Sequence, residues 1–251
     1  VLKMGWTYDP KYADEYYDKW IKLGWAGTGK PFKGFVDPER LIIETTHVGR
    51  YEGRLFKAML TWIRDFHDLI NTQKVIRYID DADVAILGAV IDIAIQHGAN
   101  PRLRTIIKRC NANKEPQVLF KAGDQFGVFD KNQREFSRQE YVKWGLYCTM
   151  LEFYDHAMFN RKFVLKNNPL LALRALIGPA IRSEILFQLE NKTRIHIRAL
   201  AHKTGYAYSA VYNEVMNMVR NGFLTLESFG RVKVIVMKDS LLQYLVSMPV
   251  F

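Results

Sequence analysis

Ile197-Arg198-Ala199-Leu200-Ala201-His202-Lys203-Thr204-Gly205-Tyr206-Ala207-Tyr208-Ser209-Ala210-Val211 decides the reading of this chain. Ala201 is small where two helices would nearly touch, Gly205 can supply the positive φ of a tight turn, and Val211 is an apolar pin for a second helix. Those three demands, met at fixed offsets, are the spacing of a helix-turn-helix. Upstream, Leu170, Leu171, Leu173, Leu176, Ile177, Ile181, Ile185, Leu186 and Leu189 recur at near-helical spacing. Gly178-Pro179 divides them into two supporting helices. Downstream, Val215, Met218 and Val219 continue one helix face until Asn221-Gly222 stops it. The period then shortens. Residues 223–227 and 232–236 are rich in apolar and β-branched side chains and flank Ser228-Phe229-Gly230-Arg231, which predicts a β-hairpin, the wing that follows a helix-turn-helix.

Through Leu173-Arg174-Ala175-Leu176-Ile177-Gly178-Pro179-Ala180-Ile181-Arg182-Ser183-Glu184-Ile185-Leu186, Ala199-Leu200-Ala201, Ala210-Val211, Asn221-Gly222-Phe223-Leu224 and Gly230-Arg231, the chain resembles prokaryotic winged-helix regulators of the ArsR type. The resemblance is confined to the C-terminal third. It implies a winged helix-turn-helix fold and DNA binding, but no particular operator or ligand. Some members of that broad group carry a fused nucleotidyltransferase domain, whose Gly-Ser and paired-Asp signature this sequence lacks. The N-terminal part resembles only uncharacterised bacterial proteins of the same layout, which implies no activity.

The fold class predicted is mainly α: a helical N-terminal domain over residues 1–166, then a winged helix-turn-helix domain over residues 170–251. Lys166-Asn167-Asn168-Pro169 interrupts two apolar patterns and marks the boundary. The 251 residues carry 36 Lys plus Arg against 26 Asp plus Glu, a formal charge of +10 that favours anionic partners. Residues 170–251 hold 10 basic and 5 acidic side chains, so their charge density is about twice that of the rest. Between Asp155 and Glu184 there is no acid, only Arg161, Lys162, Lys166, Arg174 and Arg182, which reads either as a solvated face or as a phosphate-contacting surface. Cys110 and Cys148 have no partner at metal or redox spacing and read as reduced, buried thiols. Val1-Leu2-Lys3 opens no secretory pattern, and the apolar stretch from Val84 to Ile95 is too short for a bilayer. A cytoplasmic protein with no membrane partner is expected.

In the N-terminal part, Tyr8, Tyr12, Tyr16, Tyr17, Trp20 and Trp25 surround a predicted helix from Asp9 to Leu23. Asp37-Pro38-Glu39 reads as an N-cap opening a helix to Thr45. Leu55, Met59, Trp62, Ile63, Phe66, Leu69 and Ile70 form one face of the next. Asp80-Asp81-Ala82-Asp83 caps a central helix from Val84 to Gln96. A further helix follows Asn100-Pro101 to Cys110, exposing Arg102, Arg104, Lys108 and Arg109. Residues 117–129 read as a small hairpin and residues 137–151 as a helix.

Chemical motifs are weak. Gly24-Trp25-Ala26-Gly27-Thr28-Gly29-Lys30-Pro31 matches part of a phosphate-binding loop, but Pro31 stands where a magnesium-binding hydroxyl belongs. Asp80, Asp81, Asp83 and Asp92 read as helix-cap acids rather than metal ligands. The six histidines, His47, His67, His97, His156, His196 and His202, form no HxxxH pair, so no metal, cofactor or catalytic residue is assigned and no enzyme is expected.

If the helix from Ala207 to Arg220 enters a major groove, Tyr208, Ser209, Tyr212, Asn213 and Asn217 face outward, with Asn213 suited to an adenine edge. Arg182, Arg198, Lys203 and Tyr206 are placed for phosphates, and Arg231 with Lys233 for the adjacent minor groove. The partners expected are double-stranded DNA and a second copy of the chain, since one module spans too few base pairs for a specific site. The final segment, Ser240 to Val246, is apolar at helical spacing and suits either a dimer element or packing on its own module. The N-terminal domain is read as serving dimerisation, effector sensing or partner contact. The expected function is transcriptional regulation. The alternatives are an assembly subunit that uses the winged helix as a docking surface, or a nucleic-acid-processing factor with its site in the N-terminal domain.

Overall fold

The computed structural model describes residues 13–121, 128–149, 153–190, 194–229 and 232–237. The chain is mainly α-helical and divides into two compact units, Val1–Asn167 and Asn168–Phe251.

In the first unit, α1 (Ala13–Lys22) buries Tyr17, Trp20 and Ile21. Its predicted beginning at Asp9, with Tyr8 and Tyr12, lies outside the described residues. The Asp37 carboxylate accepts from the amides of Glu39 and Arg40, each at 3.1 Å, and opens α2 (Pro38–Val48). That helix runs on past Thr45. Trp20 and Trp62 are both wholly buried, which works because each indole N–H has an acceptor: Thr45 Oγ1 and the Leu23 carbonyl, each at 3.1 Å.

α3 (Gly53–Asp65) ends earlier than its apolar face suggests. A 3-10 turn, His67–Leu69, carries the pattern on, so Phe66, Leu69 and Ile70 are buried without being α-helical. α4 (Thr72–Arg77), capped by Asn71, had no counterpart among the predicted helices; six residues give too little periodicity to register. α5 (Val84–Gln96) is central and has the predicted bounds, with Asp83 Oδ1 accepting from the Ile86 amide at 3.2 Å. The expected helix after Pro101 is a 3-10 turn, Pro101–Leu103, followed by the short α6 (Arg104–Ile107).

The hairpin predicted over residues 117–129 is not formed. β1 (Gln117–Val118) pairs in parallel with β2 (Leu146–Tyr147), and Val128 already opens α7 (Val128–Glu135). Partners from elsewhere replace the missing second strand. Arg50 donates to the carbonyls of Val118 and Leu119 at 2.8 and 3.1 Å, and the buried Gln133 side chain both accepts from and donates to the Phe120 backbone at 3.2 Å. The helix predicted over residues 137–151 shrinks to α8 (Gln139–Val142). The break is Gly145, at φ 65°, where a Cβ would lie 2.5 Å from the Asn113 carbonyl oxygen. α9 (Arg161–Asn167) closes the unit. Cys148 is buried and Cys110 only partly so.

The second unit begins with α10 (Pro169–Ile177) and α11 (Ile181–Glu190), separated at Gly178-Pro179. β3 (Arg194–His196) leads into α12 (Ile197–Thr204) and α13 (Tyr208–Arg220). β4 (Leu224–Phe229) and β5 (Val232–Met237) form an antiparallel hairpin, which β3 joins in the order β3-β5-β4. Pairing runs to Phe229 opposite Val232, so the connection is shorter than the four residues predicted. Between α10 and α11, Arg174 Nε and Nη2 both donate to Glu184 Oε1, at 3.0 and 2.5 Å, with the side chains almost wholly buried. Ser240 to Val246 lies outside the described residues. No described helix is long and apolar enough to cross a membrane.

The charged pairs make two outcomes measurable. Glu184→Gln leaves the Arg174 guanidinium without its counter-charge and should destabilise the C-terminal unit by about 3–5 kcal/mol, whereas Arg174→Met with Glu184→Leu should recover most of that loss. Urea unfolding of the full chain measures both. In the first unit, burial works against ionisation of Asp92, but Lys143 and the Trp144 indole N–H outweigh it and hold the carboxyl below its ordinary range. Because the folded state favours the ionised form, its stability is present above the unfolded pKa and lost as pH falls through the lower folded one. Asp92→Asn should therefore flatten the acid limb of a plot of unfolding midpoint against pH, lowering the midpoint at neutral and alkaline pH and converging with the parent at the acid end.

Candidate nucleic-acid interface

The C-terminal unit has one apolar core. Ile185 and Leu189 from α11, Leu200 and Ala201 from α12, Val211, Val215 and Met218 from α13, and Leu224, Ile235 and Met237 from the hairpin meet in it. Val211, Val215 and Met218 lie four and three residues apart, so one stripe of α13 is wholly committed to this core. The opposite stripe faces outward. Its outer residues follow from the helical period once the inner ones are fixed.

The turn between α12 and α13 depends on Gly205, which is left-handed at φ 70° and ψ 11°. α12 is closed at that turn by Thr204 Oγ1, which donates to the Leu200 and Ala201 carbonyls at 2.9 and 3.3 Å. It opens with a cap that the sequence did not announce: His196 Nδ1 accepts from the Arg198 amide at 3.2 Å. Histidine is not among the usual capping residues, so no sequence signal marked it.

The outward set divides by accessibility. Tyr208 and Tyr212 are 50% and 39% exposed and lie in a stacked arrangement with ring centroids 6.1 Å apart. Ser209 and Asn213 are exposed beside them. Asn217 is half-buried and drawn into the helix end, where Asn221 Nδ2 donates to its carbonyl at 2.8 Å and to its Oδ1 at 3.1 Å. Its side-chain oxygen is thus already engaged. Arg198 and Lys203 are exposed on α12, whereas Tyr206 is half-buried and packs against the core. Lys233 pairs through its backbone with Ser228, while its side chain and the whole of Arg231 lie outside the described residues.

The acid-free stretch is not the continuous basic surface that its composition suggests. Arg174 is buried against Glu184, Arg161 is bonded to Asp68, and Arg182 Nε donates to Glu214 Oε1 on α13 at 2.7 Å. These acids lie 10, 93 and 32 residues away in sequence, too far for a local pattern to show them. Of the five cations, Lys162 and Lys166 are exposed on α9. Arg182 remains on the surface along α13, but with its charge partly answered.

The motif resembling a phosphate loop is built otherwise. Asp18 Oδ1 accepts from the Lys30 amide at 3.1 Å, and its carbonyl accepts from Phe32 at 3.0 Å. A carboxylate at the loop repels a phosphate, and the next helix begins only at Pro38. Asp81 is bonded to Arg40, Asp83 caps α5, and Asp92 meets Lys143 and Trp144. Among the described residues no group of His, Cys, Asp or Glu is arranged to hold a metal ion. Burial pushes the Cys110 thiol up to about 12, far from the range of a reactive thiolate.

Comparison of the chain with protein-family models, with curated proteins and with solved structures finds no match.

Gly205→Ala places a Cβ in left-handed backbone and should lower the stability of the C-terminal unit by about 1–2 kcal/mol; Gly205→Asn should cost less. Thermal unfolding monitored by circular dichroism orders the three proteins. Equal midpoints would show that the turn relaxes without cost.

Proposed function

We propose that the C-terminal unit is a winged helix-turn-helix module that binds double-stranded DNA, and that the protein is a transcriptional regulator acting as a homodimer. One observation carries the reading: α13 is packed by one stripe, held to α12 through a left-handed Gly205, and presents Tyr208, Ser209, Tyr212 and Asn213 together on its free side. A helix about 10–12 Å across with a polar outer face fits a major groove about 12 Å wide. Asn213 offers the paired donor and acceptor that match an adenine edge. Arg198 and Lys203, one helix away, suit the flanking phosphates, and Arg231 at the sequence-predicted wing suits the minor groove. Arg182, shared with Glu214, would contact phosphate only by giving up part of that bond. A homodimer supplies the second half-site that a single module lacks.

The stacked, exposed Tyr208 and Tyr212 favour a second reading, in which α13 docks onto a protein partner. Tyrosines of this kind concentrate binding energy at protein interfaces, and the free face of α13 carries few cations.

Equilibrium binding to a random duplex library at low and near-physiological salt separates the two. DNA binding should yield an enriched two-fold motif that survives the higher salt, with affinity falling steeply along the salt series. Arg198→Ala should weaken all duplexes about equally, whereas Asn213→Ala should change which sequences are enriched, a loss of about 1–3 kcal/mol at one position. Identical behaviour of the two variants would overturn the orientation proposed for α13, and absence of duplex binding would leave the docking reading.

A further inference from the structure

We propose that the N-terminal unit carries a contact of its own for the phosphate backbone of nucleic acid, formed by Arg104, Lys108 and Arg109. The proposal rests on the reading above only in taking nucleic acid as the partner; its observations come from the other unit.

Residues 93–114 contain five Lys and Arg and no Asp or Glu. Within them Leu103 and Ile106 are wholly buried, while Arg102, Arg104, Thr105, Lys108 and Arg109 are exposed. Burial of that apolar pair fixes which side faces solvent, and the cations are on it. Arg102 fastens the segment in place. Its Nη2 donates to the carbonyls of His67, Asp68 and Ile70 at 3.2, 2.9 and 3.1 Å, so its charge is met by backbone dipoles. Asp68 is bonded to Arg161 and Asp92 to Lys143 and Trp144; Glu115, at the end of the segment, is the acid that follows it in the chain.

Arg104, Lys108 and Arg109 therefore form no side-chain hydrogen bond or ion pair among the described residues. Four arginines elsewhere in the same unit, Arg40, Arg50, Arg64 and Arg161, each meet a carboxylate. Cations held together without counter-charge raise the local potential, and an incoming polyanion lowers it. Exposed Asn111 and Lys114 lie next in the chain and add donors of the kind that bind phosphates. A membrane surface fits less well. Binding there needs apolar side chains to insert, and in this segment Leu103 and Ile106 point into the core while Ile107 is half-buried.

The test is anisotropy titration of a long random-sequence duplex, and of single-stranded DNA of the same composition, with the full chain and with Arg104→Ala/Lys108→Ala/Arg109→Ala. Every phosphate that the protein no longer neutralises lowers the slope of log affinity against log salt by about 0.9, so removing three cations narrows the change between 50 and 200 mM salt by about 40-fold. The enriched sequences should stay the same. Arg104→Lys/Arg109→Lys keeps the charges and should bind as the parent does, which separates loss of charge from loss of folding. Duplex binding by the parent with an unaltered slope in the triple variant overturns this proposal and leaves the α13 reading standing. Single-strand binding that the triple substitution weakens, in a chain that binds no duplex, supports this proposal and overturns the other. Loss confined to anionic phosphatidylserine vesicles, with nucleic-acid binding unchanged, overturns it in favour of a membrane.

Discussion

The C-terminal unit depends on the complete burial of one stripe of α13. Val211, Val215 and Met218 meet helices on one side and the hairpin on the other, so the rotation of α13 about its axis is set by packing. Fully burying such side chains is worth about 1.5–3 kcal/mol each, more than the outward polar face could offset if the helix turned. The outer face is consequently a product of the core. Gly205 serves the same end, since the left-handed turn is what lets α12 and α13 share one core across a three-residue connection.

Charge in this protein serves architecture more than surface. Arg174 with Glu184 joins two supporting helices, and Arg50 acts as a surrogate strand for residues 117–119 while reaching toward Asp83 at 3.5 Å. Arg50 suits that part because several donors in a fixed plane can satisfy several acceptors together, while two Arg174 donors converge on one Glu184 oxygen. The formal charge of +10 is thus a poor map of the surface open to an anion. Among the described residues, Arg104, Lys108 and Arg109 around α6 stand exposed without an acid, as do Lys162 and Lys166 on α9.

A protein docking through α13 would use other features, namely the stacked tyrosines and the exposed side chains of Leu176 and Phe223. The tyrosines are paired on α13, whereas Leu176 and Phe223 lie off that helix. The polar residues beside the tyrosines, Ser209 and Asn213, are what an edge-reading helix would require.

The sequence by itself determined the local elements. Asp37 and Asp83 as caps, the bounds of α5, the division at Gly178-Pro179, the left-handed Gly205 and the strand pair after Asn221-Gly222 are all encoded within a few residues of where they act. The same locality made the inner and outer faces of α13 legible, because a helix repeats its faces every few residues. Only the tertiary structure decided which polar groups meet. It turned residues 117–120 from a hairpin into a strand completed by Arg50 and Gln133, broke the predicted helix at Gly145 against the Asn113 carbonyl, buried Arg174, drew in Asn217 and answered the exposed Arg161 and Arg182 with acids. Periodicity reports burial against a neighbour but not the neighbour's identity. Most of these hydrogen bonds and ion pairs join residues too distant in sequence to share a local pattern.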